Sequence, residues 1–269
     1  MRGESLSIIF SLDAISVVDV WDILFQELTR RGISKKTLVD LFGKKLALDK
    51  LHKGIKNANR GHFGIEIDRL SLDYAPVANY EHALLKIKDV TESVNYGWDQ
   101  WTDTMILNTG FIQAWVVNNE YNYWQNAHDP IQYKAKGRSY AGLPMKSNNL
   151  PPPLEQMIID TSNNPGRRII RMGYVEAIGS PMWVGRQFWE RTDADKTEVM
   201  ESFPNHSELM SDDVLRIQVS DMPFTEDADV TLQNRLREVL YPKINMAHTQ
   251  YNSNNEEGDK IKRTPSAPS

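Results

Sequence analysis

From Ser16 onward, Val17, Val20, Trp21, Leu24, Phe25 and Leu28 recur at i, i+3, i+4, i+7, i+8 and i+11, one stripe of an α-helix. Ser16 suits the N-cap, Arg30 and Arg31 suit the carbonyl end, and Gly32 offers a left-handed stop. A second helical stretch is predicted after Ser34, with Leu38, Leu41 and Phe42 in register up to Gly43. A third is predicted from Leu46 or Leu48 through Leu51 to Ile55. At His62 the period falls to two: Phe63, Ile65 and Ile67 alternate with Gly64, Glu66 and Asp68, as in a half-buried strand. Further strands are predicted at Ala83 to Val90, Thr104 to Thr109 and Phe111 to Val117. No long helix separates them, which favours antiparallel pairing.

The stretch 137–153 holds Pro144 and Pro151-Pro152-Pro153 and is predicted to be a loop or boundary. Beyond it, Arg168 to Ile178 reads as a strand. Ser180 then caps a short helix with Pro181 at its first position, carrying Trp183 to Trp189. Thr192 and Asp195 cap a helix ending near Phe203, Val214 to Val219 forms a strand, and Val230 to Leu240 forms a last helix before Pro242. The expected fold is α+β, with antiparallel sheets packed against helices and two halves of similar layout. Residues 1–248 are expected to form a single domain, with a sub-boundary at 137–153. Residues 249–269 have nothing to bury and are expected to be a disordered tail.

The 269 residues are 40% hydrophobic and 25% charged, the balance of a folded globular chain. The absence of cysteine removes disulfides, thiolate nucleophiles and thiolate metal sites. Apolar runs fall far short of the roughly 20 residues that cross a bilayer. The first apolar patch is broken by Ser7, Ser11 and Asp13, so a cytoplasmic protein with no membrane contact is expected.

Catalytic patterns are incomplete. Gly43-Lys44-Lys45 lacks both the earlier glycine and the hydroxyl residue of a phosphate loop, and no serine sits in a nucleophile elbow. His52, His62, His82, His128, His206 and His248 include no i, i+4 pair. No catalytic residue, metal ligand or cofactor is assigned. The alternative from another class is a metal-dependent hydrolase using Glu66, Asp68 and histidines gathered by folding.

Charge is distributed unevenly. Residues 30–60 carry ten Lys or Arg, Arg60 included, against Asp40 and Asp49. Residues 190–229 carry twelve carboxylates against Arg191, Lys196 and Arg216. The basic segment lacks interleaved aromatics, so a solvated face is expected there and no direct nucleic-acid contact. An acidic field suits rapid capture of a protein with a cationic groove. Aromatic residues concentrate from Tyr96 to Trp124, and Trp98, Trp101, Tyr123 and Trp124 are flanked by polar residues, a pattern that suits interface anchors.

The run Gly173-Tyr-Val-Glu-Ala-Ile-Gly-Ser-Pro-Met-Trp-Val-Gly-Arg-Gln-Phe-Trp-Glu-Arg-Thr-Asp-Ala-Asp-Lys, with Pro223-Phe-Thr before the last helix, resembles the immunity protein 52 family of type VI secretion and polymorphic-toxin systems. The resemblance covers residues 165–241. Its matching positions are structural: Gly179 and Gly185 where backbone turns or approaches, and Trp183, Phe188 and Trp189 as packing residues. It implies an α+β protein without catalytic residues that neutralises a cognate toxin, here taken as a DNase, by stoichiometric binding. Under that implication Glu190, Asp193, Asp195, Asp212, Asp213, Glu226 and Asp227 supply the attracting field, and the aromatic anchors the buried contact.

Overall fold

The computed structural model describes residues 3–41, 43–57, 61–89 and 97–242. The chain opens with β1 (Glu4–Ser11), α1 (Val17–Arg30), β2 (Leu38–Leu41), β3 (Lys44–Ala47), α2 (Leu48–Asn57), β4 (Phe63–Ile67), β5 (Leu70–Val77) and β6 (His82–Asp89). It continues with α3 (Trp98–Thr102), β7 (Phe111–Asn118), α4 (Asn119–Asn126), α5 (Pro130–Ala135), β8 (Met145–Ser147), β9 (Met157–Ile159), β10 (Ile169–Arg171) and β11 (Tyr174–Glu176). Last come β12 (Met182–Val184), α6 (Arg186–Thr192), α7 (Lys196–Ser202), β13 (Ser207–Leu209), β14 (Leu215–Ile217) and α8 (Val230–Leu240).

Ten of these strands make one antiparallel sheet in the order β13, β14, β12, β7, β1, β6, β5, β4, β2, β3, and two small hairpins, β8–β9 and β10–β11, stand apart. The fold is α+β. Strand alternation divides its apolar residues between two faces. Leu6, Ile8 and Phe10 of β1 join Val20, Trp21, Leu24 and Leu28 of α1 and Leu48, Leu51 and Ile55 of α2 in one core. Ile9 points the other way, into a core with Trp115, Phe188 of α6, Val199 of α7, and Leu236 and Leu240 of α8. On β12, Trp183 faces the first core while Met182 and Val184 face the second. The two halves share this sheet: β1 pairs with β7, and β7 pairs with β12 across the proline-rich stretch.

The second core is bracketed by specific polar groups. The buried side-chain amide of Gln113 donates to the Val175 carbonyl at 2.7 Å and accepts from the Val175 N–H at 3.2 Å, docking β11 against β7. The Tyr241 hydroxyl donates to the Ala177 carbonyl at 2.6 Å and accepts from the Ala177 N–H at 3.1 Å; burial raises its pKa, so it stays neutral. Glu176, with no exposed surface, receives Arg237 at 2.7 Å and Arg171 at 2.9 Å, with Arg167 at 3.6 Å. Arg237 also donates to the carbonyls of Pro165 and Arg167, tying α8 to the loop before β10.

Several elements differ from the sequence expectation. The helix after Ser34 is the β2–β3 hairpin instead. Gly43 turns the chain at φ +83 and donates its N–H to Asp40 at 2.6 Å, and buried Val39 beside exposed Leu38 is strand alternation. Phe42 lies outside the described residues. Thr104 to Thr109 forms turns that tuck Met105 and Ile106 into the first core. Arg168 to Ile178 is folded back at Gly173, φ +75, where a Cβ would lie 2.0 Å from the Arg191 guanidinium. Part of the proline-rich stretch does join a ladder, β8 with β9. Ser180 caps no helix: its hydroxyl donates to the Ser220 carbonyl at 2.7 Å and accepts from the Ser220 N–H at 3.0 Å. Trp183 is accordingly in a strand, and Gly185 precedes α6. Arg60, Val90, Tyr96, His248 and the tail 249–269 lie outside the described residues.

Candidate functional site

The residues offered for metal chemistry stay dispersed. Glu66 is exposed on β4, and Asp68 occupies the β4–β5 turn at φ +51 with Arg69 3.4 Å away. His52 stacks on Phe25 at 3.9 Å, His82 is buried with Nδ1 2.9 Å from the Tyr80 carbonyl oxygen, and His62, His128 and His206 are exposed. Burial holds His52 and His82 below the ordinary imidazole range. Among the described residues no three His, Asp or Glu side chains gather as a ligand set, so that constellation is not assembled. Among those residues, too, no helix is long and apolar enough to cross a membrane.

Three of the four aromatic anchors are core residues. The Trp98 indole donates to Glu4 at 2.6 Å, and burial raises the pKa of that carboxyl while the indole N–H opposes the rise. Trp101 is 1% exposed, with the Arg31 guanidinium 4.5 Å over its ring. Trp124 is buried against Tyr123 and Tyr133, under Arg138 at 4.6 Å. Their polar neighbours occupy the outer side of short helices, which is why flanking polarity misplaced the rings. Tyr123 alone of the four keeps partial exposure.

The seven carboxylates are exposed or on exposed residues, and several are already engaged. Asp195 caps α7 by accepting from the N–H groups of Thr197 and Glu198, Glu190 pairs with Arg186 at 3.1 Å, and Glu226 pairs with Arg138. Asp193 ends α6 at φ +56. Asp212 and Asp213 occupy the β13–β14 turn, where Lys196 donates to the Asp212 carbonyl oxygen at 2.8 Å. Asp227 is exposed before α8. Pairing at such surfaces leaves local net charge negative, because acids outnumber bases there.

The positions shared with the immunity-protein pattern are internal. A Cβ on Gly179 would lie 2.3 Å from the Val116 carbonyl oxygen, and one on Gly185 2.8 Å from that of Phe111. Trp183 and Phe188 are fully buried, and Trp189 packs edge-on against Phe188.

Sequence reasoning missed the surface these elements build. β13 is an outer strand of the sheet. The bonds from Met210 N–H to the Val214 carbonyl and from Gln218 N–H to the His206 carbonyl direct the main-chain groups of Ser207 and Leu209 off the edge. Leu209 is 51% exposed and Met210 37%, between Glu208 and the Asp212-Asp213 turn. Glu208 lies opposite Arg216, whose charge is met by Asp99 at 2.7 Å. At β14, the neighbour of β13, a cavity of about 360 Å³ is lined among others by Glu4, Trp98, Asp99, Arg216, Asp221 and the 42%-exposed Met222. The readable signal was Glu208-Leu209-Met210, an apolar pair embedded in the acidic segment. At the opposite edge of the sheet, β3 presents exposed Lys44 and Lys45, the usual protection of an unpaired strand.

No protein-family model matches the sequence, and no curated protein is similar to it. Among solved structures, the chain is similar to a Pseudomonas aeruginosa T6SS protein, PA0821. The likeness has 12% sequence identity and a TM-score of 0.48, over 90% of this chain and 73% of that one.

Proposed function

We propose that this protein is an immunity protein that binds a cationic toxin of a type VI secretion system, a nuclease by class, and neutralises it stoichiometrically. The observation that carries the reading is the β13 edge. Its exposed Leu209 and Met210 offer area to bury, its outward main-chain groups can be paired, and its carboxylates are opposite in sign to a phosphate-binding groove. The resemblance over residues 165–241 includes this edge, which gives the reading a second support.

Co-expression with nuclease toxins of type VI secretion systems tests it: with the cognate toxin, growth is restored and the two proteins co-purify. Leu209→Arg abolishes the complex. Reversing Asp212 and Asp213 to Lys slows association at low salt by about tenfold and flattens its salt dependence, with the folded state intact. No rescue and no complex with the unaltered protein would sink the proposal; an unchanged rate in the charge-reversed variant would move the interface off this edge.

A further inference from the structure

On the second face of the sheet, away from α1 and α2, β6 carries Lys86 and Lys88 at successive outward positions, since Leu85 and Ile87, which alternate with them, are buried in the first core. Two strand positions span about 7 Å, so both ammonium groups can reach one small ligand. They line a cavity of about 230 Å³ with Arg168, Asn122, Tyr123 and Gln132. Among the described residues, no carboxylate lines it. Among the described residues, Lys86, Lys88 and the Arg168 side chain form no ion pair, although Asp73 faces Lys86 across the β5–β6 ladder and turns one oxygen to the Ser71 hydroxyl. Burial, with Arg168 and Lys88 adding repulsion, holds Lys86 below the ordinary lysine range.

Neutral donors converge on the same cavity. The amide nitrogens of Asn122 and Gln132 and the Tyr123 hydroxyl make no hydrogen bond within the described residues, whereas the Arg168 backbone N–H is held by Asn126 at 2.7 Å. Three cations and three neutral donors exceed what one carboxylate can accept, about four lone-pair sites. They match the larger oxygen set and higher charge of a phosphorylated ligand.

We infer that the cleft between β6, α4 and Arg168 binds the diphosphate group of a small molecule. Binding adds counter-charge to Lys86, Lys88 and Arg168 beyond the one carboxylate, Asp73, that faces Lys86, and Tyr123 borders the mouth where an attached organic group would lie. This site is independent of the acidic β13 edge, so it stands or falls separately from the toxin-binding reading.

Thermal unfolding and titration calorimetry of the full chain test it, with sodium pyrophosphate and ADP as probes and sodium chloride at matched ionic strength as control. Each probe is expected to raise Tm with the logarithm of its concentration, by about 5 °C at a hundredfold excess over its Kd. Tighter binding of ADP would assign the ligand to nucleotides, and tighter binding of pyrophosphate to the bare anion; either order supports the site. The Lys86→Met/Lys88→Met variant loses the response while its ligand-free Tm stays level or rises, because the repulsion is gone. Arg168→Gln weakens binding at least tenfold with its ligand-free Tm unchanged. A Tm response no larger than that of chloride, or one that persists in both variants, overturns the inference.

Discussion

On the α1 side of the sheet, Val20, Trp21, Leu24 and Leu28 meet Leu6, Ile8 and Phe10 through apolar contact, and the buried indole N–H groups of Trp21, Trp101 and Trp183 find no partner among the described residues. The α8 side has shorter strands, three residues each in β11, β12 and β14, and depends on named polar pairs: Gln113 with Val175, Tyr241 with Ala177, and Glu176 with Arg237. Apolar packing loses stability in proportion to what is removed, whereas a buried charge that loses its partner is left wholly uncompensated. The α8 face therefore adds a few discrete buried polar interactions to an apolar core of its own.

The sharpest way to break that contrast is Glu176→Ala, which leaves Arg237 buried against carbonyls alone. A loss of about 3–5 kcal/mol is expected by chemical denaturation, with hydrogen-exchange protection falling first in β11 and α8. A loss below about 1 kcal/mol would show that the α8 side does not depend on this pair. Next, Leu24→Ala should cost about 3 kcal/mol, with protection reduced in α1 and the strands under it. Equal loss of protection on both faces would erase the distinction.

The smallest effect concerns pH. The folded pKa of His82 is depressed by burial, with Arg191 nearby adding to the effect. The unfolded chain then takes up the proton more readily, so stability is fully present above the ordinary value of about 6.5 and declines as pH falls through the lower folded value. Tm measured from pH 7.5 to pH 5 should fall, and His82→Gln should flatten that slope, leaving the part due to His52. An unchanged slope would contradict the assignment.

Where one residue's surroundings are set by its near neighbours, the sequence was legible. α1 follows from its stripe and from Ser16, which accepts the Asp19 N–H, and α8 coincides with the expected Val230 to Leu240. Leu38 and Leu41 also fit a helical period, but four-residue strands hold too few positions to separate period two from 3.6, and Gly43 decides for the hairpin. Ser180 followed by Pro181 carried a capping signal that its bonds to Ser220, forty residues on, override. The candidate site divides in the same way. Acidic excess could be counted along the chain, but the burial of Trp98 depends on Glu4 and that of Trp101 involves Arg31, neither of them near in sequence. Lys86 and Lys88 stood in an expected strand with their common side visible, yet nothing local announces that Arg168 joins them.

The two outer strands of the sheet, which pair on one side only among the described residues, carry opposite charge, Lys44 and Lys45 on β3 and Glu208, Asp212 and Asp213 at β13. Nine inter-strand spacings of about 4.8 Å place them roughly 40 Å apart along the sheet. Such a separation gives the molecule an electric moment lying across its strands. In the field of any positively charged body the resulting torque turns the β13 end forward and the β3 end away before the surfaces touch. Orientation is thus set while the partners are still apart, and added salt, by shortening the reach of the field, would make each encounter begin from a random attitude.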